Sequence, residues 1–144
     1  MRDANEFNAV DTILPELTQL FHDRLSLDAS VLEQHGHDVS RHDTQAPQAV
    51  VYPLTTDEVS ATVKLCYENN VPVIPFGTGT AVEGGVVAIF GGVSIDLTTM
   101  NQIVEINIDD ADATVQAGVT RYQLNETLQN QDTGLVFTVD PGAD

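Results

Sequence analysis

The chain has 144 residues, of which 42% are hydrophobic, so its length and composition predict a globular domain and exclude a disordered chain. Twenty-two acidic residues stand against five lysines and arginines, which gives a formal net charge of −17. Such a surface repels nucleic acid and anionic membranes, and the chain lacks the run of about 18 apolar residues that a membrane span requires.

The acidic residues are spread along the chain rather than gathered in a tail. This distribution favours adaptation to high salt, where a carboxylate surface stays hydrated and its self-repulsion is screened. The alternative is an acidic protein from an ordinary environment. The N-terminal sequence MRDANEFNAVD shows no signal-peptide pattern, so we expect a cytoplasmic location.

The first 46 residues predict a helical segment followed by a loop. Apolar residues at helical spacing predict a helix over residues 11–25, with Asp11 or Thr12 as its cap and Pro15 in its first turn. A second short helix is expected over residues 29–34. The sequence from residue 35 to residue 48 is polar and aperiodic, so it predicts a loop.

A strand–helix–strand unit follows. Residues 49–53 predict a strand, and Thr55 and Glu58 form a capping-box pattern that begins a helix ending near Asn70. Residues 71–76 are continuously apolar, so we expect a strand buried on both faces. Two strands joined in this way run parallel. We expect the inner face of the helix to carry Val59, Val63, Cys66 and Tyr67, with Cys66 packed rather than reactive.

The pattern changes in the second half of the chain. Residues 93–100, 103–108 and 113–119 alternate apolar with polar residues, which predicts half-exposed and antiparallel strands. Thr120 and Gln123 begin a further helix that ends near Gly134, and residues 135–139 predict a last strand. The expected fold class is therefore α+β, with a small parallel βαβ unit that feeds a mixed or antiparallel sheet.

The stretch PFGTGTAVEGG, residues 75–85, is the strongest candidate for a binding site. It directly follows an apolar strand, and glycine lets successive backbone amides converge on phosphate oxygens. A dinucleotide fingerprint starting at Gly77 needs glycine or alanine where Val82 stands. A P-loop needs a lysine, and Lys64 lies elsewhere. A diphosphate bound by neutral amides and threonine hydroxyls remains, with a ligand-free glycine-rich hairpin as the alternative.

The polar loop offers a second candidate. His35, His37 and His42, with Asp38 and Asp43, have a spacing that permits a metal site. A solvated polar loop is the interpretation we favour.

Several isolated polar residues carry weaker signals. Arg121 follows Gly118 at the start of a helix, and we expect it to be exposed or salt-bridged. His22 is expected on an exposed helix face. Asp96, like the acids near residue 110, fits a strand face or a turn, and no pair of acids indicates catalysis.

Several ordered motifs together resemble one family. The sequence AVVYPLTTDEVSATVKLCYENN, the glycine stretch, GGVSIDLTTMNQIVEIN, VQAGVTRYQLNETL and DPGAD are similar to the FAD-binding domain of flavin-dependent 2-hydroxyacid dehydrogenases. Within this family, the motifs resemble those of cytochrome-type D-lactate dehydrogenases and of the FAD subunits of glycolate oxidase. The resemblance covers roughly residues 35–144 and implies an FAD-binding domain of the vanillyl-alcohol-oxidase type.

The resemblance also implies which residues face the cofactor. The segment that matches residues 75–85 surrounds the FAD diphosphate in the family, and the segment that matches residues 140–144 lies along the flavin. The expected cofactor-binding residues are Phe76, Gly77, Thr78, Gly79, Thr80, Ala81, Val82, Gly84, Gly85, Pro141 and Gly142. Ala81 departs from the family, which usually has glycine there; a methyl group costs about 1 kcal/mol or more where the backbone is left-handed.

The implied function is the N-terminal FAD-binding portion of an oxidoreductase that oxidises a D-2-hydroxyacid, of the lactate or glycolate type, and passes electrons to a quinone or cytochrome-type acceptor. Family members continue with a second glycine-rich segment and a substrate domain that carries catalytic histidines and a metal site. Residues 47–144 therefore resemble an incomplete FAD-binding domain, truncated relative to the family, and no catalytic or metal-binding residue is expected in this chain. The alternative is a non-catalytic truncated product, or a separate subunit with weak or no FAD binding.

Overall fold

The computed structural model describes residues 9–139, which divide into two compact units, one up to Leu97 and one from Thr98 onward. The first unit contains α1 (Ala9–Phe21), a 3₁₀ turn (His22–Arg24), β1 (Leu25–Ser26), α2 (Ala29–Gln34), β2 (Ala49–Val51), α3 (Thr56–Glu68), β3 (Val73–Phe76) and β4 (Val93–Asp96). The second unit contains β5 (Ile103–Asn107), β6 (Asp112–Val115) and α4 (Arg121–Asn130). No described helix is long and apolar enough to cross a membrane.

The first unit is built on a four-stranded sheet with the order β1-β2-β4-β3. β2 and β3 each pair in parallel with β4, which lies between them, and β1 pairs antiparallel with β2. The predicted strand–helix–strand unit with parallel strands is therefore confirmed. β1 was not predicted, because two residues carry too little pattern to indicate a strand.

The prediction that β4 would be half-exposed and antiparallel is wrong. All four of its residues are buried, and both of its neighbours are parallel to it. Apolar and polar residues do alternate along β4, so they lie on opposite faces of the sheet, but both of these faces are covered. Val93 and Ile95 point into the main core, whereas Ser94 and Asp96 are buried on the opposite side. Polarity alone therefore misled the prediction of exposure.

β3 also differs from its prediction. We expected a strand buried on both faces, but β3 lies at the edge of the sheet, where Val73 and Phe76 are half-buried and Pro75 is exposed. A proline has no backbone N–H to donate to a neighbouring strand, so an edge position suits it.

The main core lies between the sheet and the helices α1 and α3. Its buried members are Val10, Ile13, Leu17, Phe21, Ala49, Val51, Cys66, Val71, Val93 and Ile95. Burial raises the pKa of the Cys66 thiol to about 11, so this thiol stays protonated and packs as a small apolar group, as predicted. On the opposite face, a smaller cluster joins Ile74 to Val86 and Ala88.

The predicted limits of the first helix are wrong. α1 already includes Ala9, so Pro15 lies beyond its first turn, on the exposed side of the helix. The helix ends at Phe21 because His22 takes a left-handed backbone, with φ of 52°. His22 is exposed as expected, although it lies in the 3₁₀ turn rather than on the helix.

The predicted start of α3 is confirmed, but half of its predicted inner face is wrong. The Thr55 side chain caps the helix by accepting a hydrogen bond from the backbone N–H of Glu58. Val63 and Tyr67 are 44% and 83% exposed. Thr62 is buried instead, because its hydroxyl donates to the carbonyl of Glu58 and so needs no other partner.

In the second unit, β5 and β6 form the expected antiparallel pair, and Thr120 caps α4 by accepting from the N–H of Gln123. The predicted strand over residues 135–139 is wrong, since no strand is formed there. The Asn125 side chain pairs with the backbone of Phe137 through an N–H donor at 2.7 Å and a carbonyl acceptor at 3.2 Å. A side chain of α4 thus replaces the strand partner that the prediction assumed.

Arg24 links the 3₁₀ turn to the start of α3. Its guanidinium donates to both carboxylate oxygens of Glu58, at 2.6 and 2.8 Å, and to the carbonyl of Tyr52 at 2.8 Å. The hydrogen bonds from Arg24 lower the pKa of Glu58 to about 2, and the backbone N–H of Leu54 adds to this effect.

A carboxylate with a lowered pKa stabilises the fold above its unfolded pKa, and this contribution is lost as the pH falls through the folded value. We predict that Glu58→Gln lowers the free energy of unfolding at pH 7 by about 2 kcal/mol, a figure reduced for partial exposure. The difference from wild type should shrink between pH 4.5 and about 2 in urea unfolding curves. Glu68→Gln, on the exposed end of the same helix, is the control and should change little. An equal loss at all pH values would contradict the assignment.

Candidate functional site

The candidate site lies where the parallel strands end. Tyr52 directly follows β2, Asp96 is the last residue of β4, and Phe76 is the last residue of β3. Phe76 and Asp96 are paired in register. In sheets with parallel strands, ligands bind outside the carboxyl ends of the strands. The glycine-rich stretch therefore begins at the end of the sheet that is suited to binding.

The residues after Phe76 form one continuous loop, residues 77–85, in which Gly79 and Gly84 take left-handed backbones with φ of 71° and 77°. Among the described residues, none accepts a hydrogen bond from the backbone amides of residues 77–80. The hydroxyls of Thr78 and Thr80 lie 3.2 Å apart. One of these hydroxyls donates to the other, so the loop presents a run of N–H donors that have no partner among the described residues and one remaining O–H, which are donors that an anion can use.

One side of this loop is open. A Cβ atom built on Gly77 would meet nothing within 4 Å, and the backbone of Gly77 is not left-handed. Neither packing nor conformation within the described residues therefore demands glycine at this position. Ala81, the departure from the family pattern, also has no left-handed backbone, and its methyl group packs beside the cluster formed by Ile74. The methyl group is accommodated without strain.

The segment of residues 36–46 packs against the loop and is hydrogen-bonded to the chain around it. The N–H of Val39 donates to the carbonyl of Ala81 at 3.1 Å. The N–H of Ala88 donates to the carbonyl of Gln45 at 3.0 Å, so the segment is fixed to the chain on both sides of residues 82–87. His42 lies against Gly84, since a Cβ built there would come within 2.5 Å of Cδ2 of the imidazole.

His35 contacts Tyr52, Phe76 and Asp96 at the carboxyl ends of the strands. Its Nδ1 is 2.8 Å from the carbonyl oxygen of Val31, and its Nε2 is 2.9 Å from Oδ2 of Asp96. Its ring packs on Phe76 at a centroid distance of 4.2 Å and meets Tyr52 edge-on at 6.1 Å. His35 and Asp96 are each only 5% exposed.

Both nitrogens of His35 face acceptors, so the ring satisfies both contacts when it is an imidazolium ion. Burial acts to lower the pKa of His35, but the hydrogen bonds to Asp96 and to the carbonyl of Val31 outweigh it, and the pKa is raised. Burial and the charge of Asp96 raise the pKa of Tyr52, so this hydroxyl stays neutral at physiological pH.

The structure brings the sequence-predicted residues from Phe76 to Gly85 together in one loop. Pro141 and Gly142 lie outside the described residues. His35 and Asp96 were missed: we expected a solvated loop residue and an exposed strand acid, and both are buried. The sequence feature that could have indicated this pair is the position of Asp96 between Ile95 and Leu97. An acid in a strand that is covered on both faces is buried and needs a partner.

The alternative of a histidine metal cluster finds no support in the contacts of the described residues, which contain no group of three potential ligands close enough to hold an ion. His35 pairs with Asp96. His37 lies 3.1 Å from the carbonyl oxygen of Glu33, and His42 lies against Gly84. The three imidazoles thus have different neighbours.

Residues 47–144 match the family model described as FAD binding domain. The chain is 51% identical over 120 residues to the probable mitochondrial D-lactate dehydrogenase of Danio rerio, a match that covers 83% of this chain and 24% of the relative. It is 34% identical over 109 residues to glycolate oxidase subunit GlcD of Bacillus subtilis, covering 76% of this chain and 23% of that protein.

A solved structure of p-cresol methylhydroxylase with bound substrate has the same fold, with a TM-score of 0.82 at 23% identity over 97% of this chain and 28% of that protein. The chain thus spans about a quarter of the length of the proteins it matches.

Substitution of Gly84, which has a left-handed backbone, and of Gly77, which does not, tests the conformation of the loop directly. Gly84→Ala places a methyl group at φ of 77° and against His42, so we predict a loss of at least about 1 kcal/mol in the free energy of unfolding. Gly77→Ala, which meets nothing within 4 Å, should change stability little. Chemical denaturation of the two variants measures the difference, and equal losses would contradict the described loop.

Proposed function

The chain belongs to the family of FAD-binding domains, its cofactor is FAD, and we propose that it is the N-terminal FAD-binding portion of a flavoprotein oxidoreductase that oxidises a D-2-hydroxyacid. The support for this substrate class is the set of relatives named D-lactate dehydrogenase and glycolate oxidase subunit. A lactate-type or glycolate-type substrate fits both names. The proposed electron acceptor is of the quinone or cytochrome type, as in the relatives named D-lactate dehydrogenase [cytochrome].

The observation that carries the proposed cofactor site is the run of unpaired amides in residues 77–80 at the end of β3. The donors present fit the diphosphate of FAD, because phosphate oxygens accept hydrogen bonds from converging backbone N–H groups. We assign diphosphate binding to Gly77, Thr78, Gly79 and Thr80.

The rest of the loop supports these donors. Ala81 and Val82 continue the chain past them, and Gly84 and Gly85 turn it back toward the sheet. Phe76 anchors the start of the loop through its ring contact with His35. Pro141 and Gly142 are proposed to contact the same cofactor on the strength of the family resemblance.

Bound FAD supplies the two-electron oxidation chemistry in such an enzyme, whereas the protein binds and orients the cofactor. The described residues of this chain perform the binding part. We assign no catalytic and no metal-binding role to them. Residues 47–144 are proposed as the N-terminal part of the FAD-binding domain, preceded by a helical segment and a loop within residues 1–46.

A site made of neutral amides must work against the net charge of −17. A carboxylate about 10 Å from a unit negative charge costs about 0.4 kcal/mol in water before screening. One hydrogen bond to a charged oxygen contributes about 1.5–3 kcal/mol. One such hydrogen bond therefore outweighs a few carboxylates at that distance. Salt screening widens that margin.

We predict that FAD fluorescence is quenched when the chain is titrated with FAD in several-molar KCl, and that Gly77→Val weakens this binding at least about tenfold. The added side chain covers the open amides, and its Cβ meets no described residue within 4 Å. Ser60→Val, which adds similar bulk to the exposed side of α3, is the control and should bind like wild type. Equal binding by all three proteins would contradict the assigned loop. An absence of quenching at high micromolar FAD would contradict cofactor binding by this chain alone.

A further inference from the structure

The buried pair of His35 and Asp96 has no part in the diphosphate site described above, yet it lies directly behind the start of the loop. The pair joins distant parts of the chain, because His35 directly follows α2 as its C-cap and Asp96 ends β4. The carboxylate and the imidazole are 2.9 Å apart, and each side chain is at most 7% exposed. A buried carboxylate needs a charged or hydrogen-bonding partner, and His35 provides it.

A chain of contacts leads from this pair to the loop. The ring of His35 packs on the ring of Phe76 at 4.2 Å, with a tilt of 40° between their planes. The ring of Phe76 in turn lies under the loop, since a Cβ built on Gly79 would be 3.1 Å from Cζ of Phe76. His35 therefore fixes Phe76, and Phe76 supports the backbone that carries the unpaired amides.

We infer that His35 is a positioning residue, which in its protonated form bridges Val31 and Asp96 and thereby holds Phe76 and the amides of residues 77–80 in the arrangement that binds the FAD diphosphate. This inference rests on the proposed function. In this inference, His35 controls the affinity for FAD without touching the cofactor. Loss of the proton removes one of the two hydrogen bonds of the ring, since a neutral imidazole has a single N–H.

The surroundings of the ring set the direction of the pH dependence. The titratable groups that face it are Asp96 from β4 and Tyr52 from the end of β2. Phe76 from β3 and the carbonyl of Val31 from α2 are uncharged. Tyr52 stays neutral because its pKa is raised. Since the pKa of His35 is raised above the usual 6.5, the protonated pair is complete below pH 6.5 and is lost as the pH rises through the higher value.

The first experiment uses the chain without cofactor. Nitrogen-15 NMR resolves the imidazoles of the four histidines and follows them, together with the backbone amides of residues 77–80, from pH 5 to pH 10. We expect His35 to titrate above 6.5 and the loop amides to shift with the same midpoint. In His35→Gln the amide shifts should lose this midpoint, whereas His37→Gln, a change at an exposed neighbour, should keep it.

The second experiment measures FAD binding by fluorescence at pH 6 and at a pH above the midpoint that NMR gives for His35. Wild type and His37→Gln should bind about tenfold more weakly at the higher pH, as expected from the loss of one hydrogen bond to a charged group. Asp96→Asn should bind nearly equally at both pH values, because an asparagine amide donates to Nε2 of a neutral imidazole. His42→Gln tests whether the other histidine near the loop causes the pH dependence. This variant should retain the pH dependence of wild type.

The outcomes distinguish the inference from the proposed function. Tight FAD binding that does not change with pH, with loop amides that ignore the titration of His35, would overturn the inference and leave the proposed function intact. A pH dependence that disappears in His42→Gln but persists in His35→Gln would also overturn it. If FAD fails to bind at either pH while the loop amides follow His35, the positioning role stands and the proposed function fails.

Discussion

The pairing of β4 with two parallel neighbours is the constraint on which the site depends. Because β2, β4 and β3 run in one direction, their carboxyl ends lie at the same end of the sheet. Because β4 is covered on both faces, Asp96 is buried at that end and requires a partner. His35 is that partner, and its ring packs on the residue from which the glycine loop departs. The position of the loop and the need for the ion pair thus follow from the same strand arrangement.

A site made of backbone amides and a charged protein surface follow different electrostatic rules. Net charge acts over distances at which water and salt screen it, whereas a backbone amide acts at contact distance and with fixed direction. A chain with a net charge of −17 can therefore carry an anion site that contains no lysine or arginine. The same reasoning explains why the composition argues against binding of nucleic acid, a large and flexible polyanion, but does not argue against a compact diphosphate held by a few amides.

Features set by neighbouring residues could be predicted from the sequence. The caps at Thr55 and Thr120 depend on residues three positions away, and both are confirmed. The glycine loop was recognised because its composition is local as well. The order of the strands is not local, so β4 was assigned to the wrong kind of sheet. His35 and Asp96 are 61 positions apart, and no periodic pattern connects them.

The same limit applies to the end of the described chain. Residues 135–139 have the composition of a strand, but the Asn125 side chain takes the hydrogen bonds of Phe137 that a neighbouring strand would have taken. Strand propensity expresses how well residues suit a half-buried pleated surface, and it does not say whether a partner strand is available.

The central claim is that the amides of residues 77–80 hold the diphosphate of FAD. The most direct measurement is a backbone amide NMR titration of the nitrogen-15-labelled chain with FAD in several-molar KCl. We predict that the largest shifts fall on residues 77–80, followed by residues 84–85, while the exposed face of α3 does not respond. Saturable FAD binding that shifts other amides and leaves residues 77–85 unchanged would contradict the account.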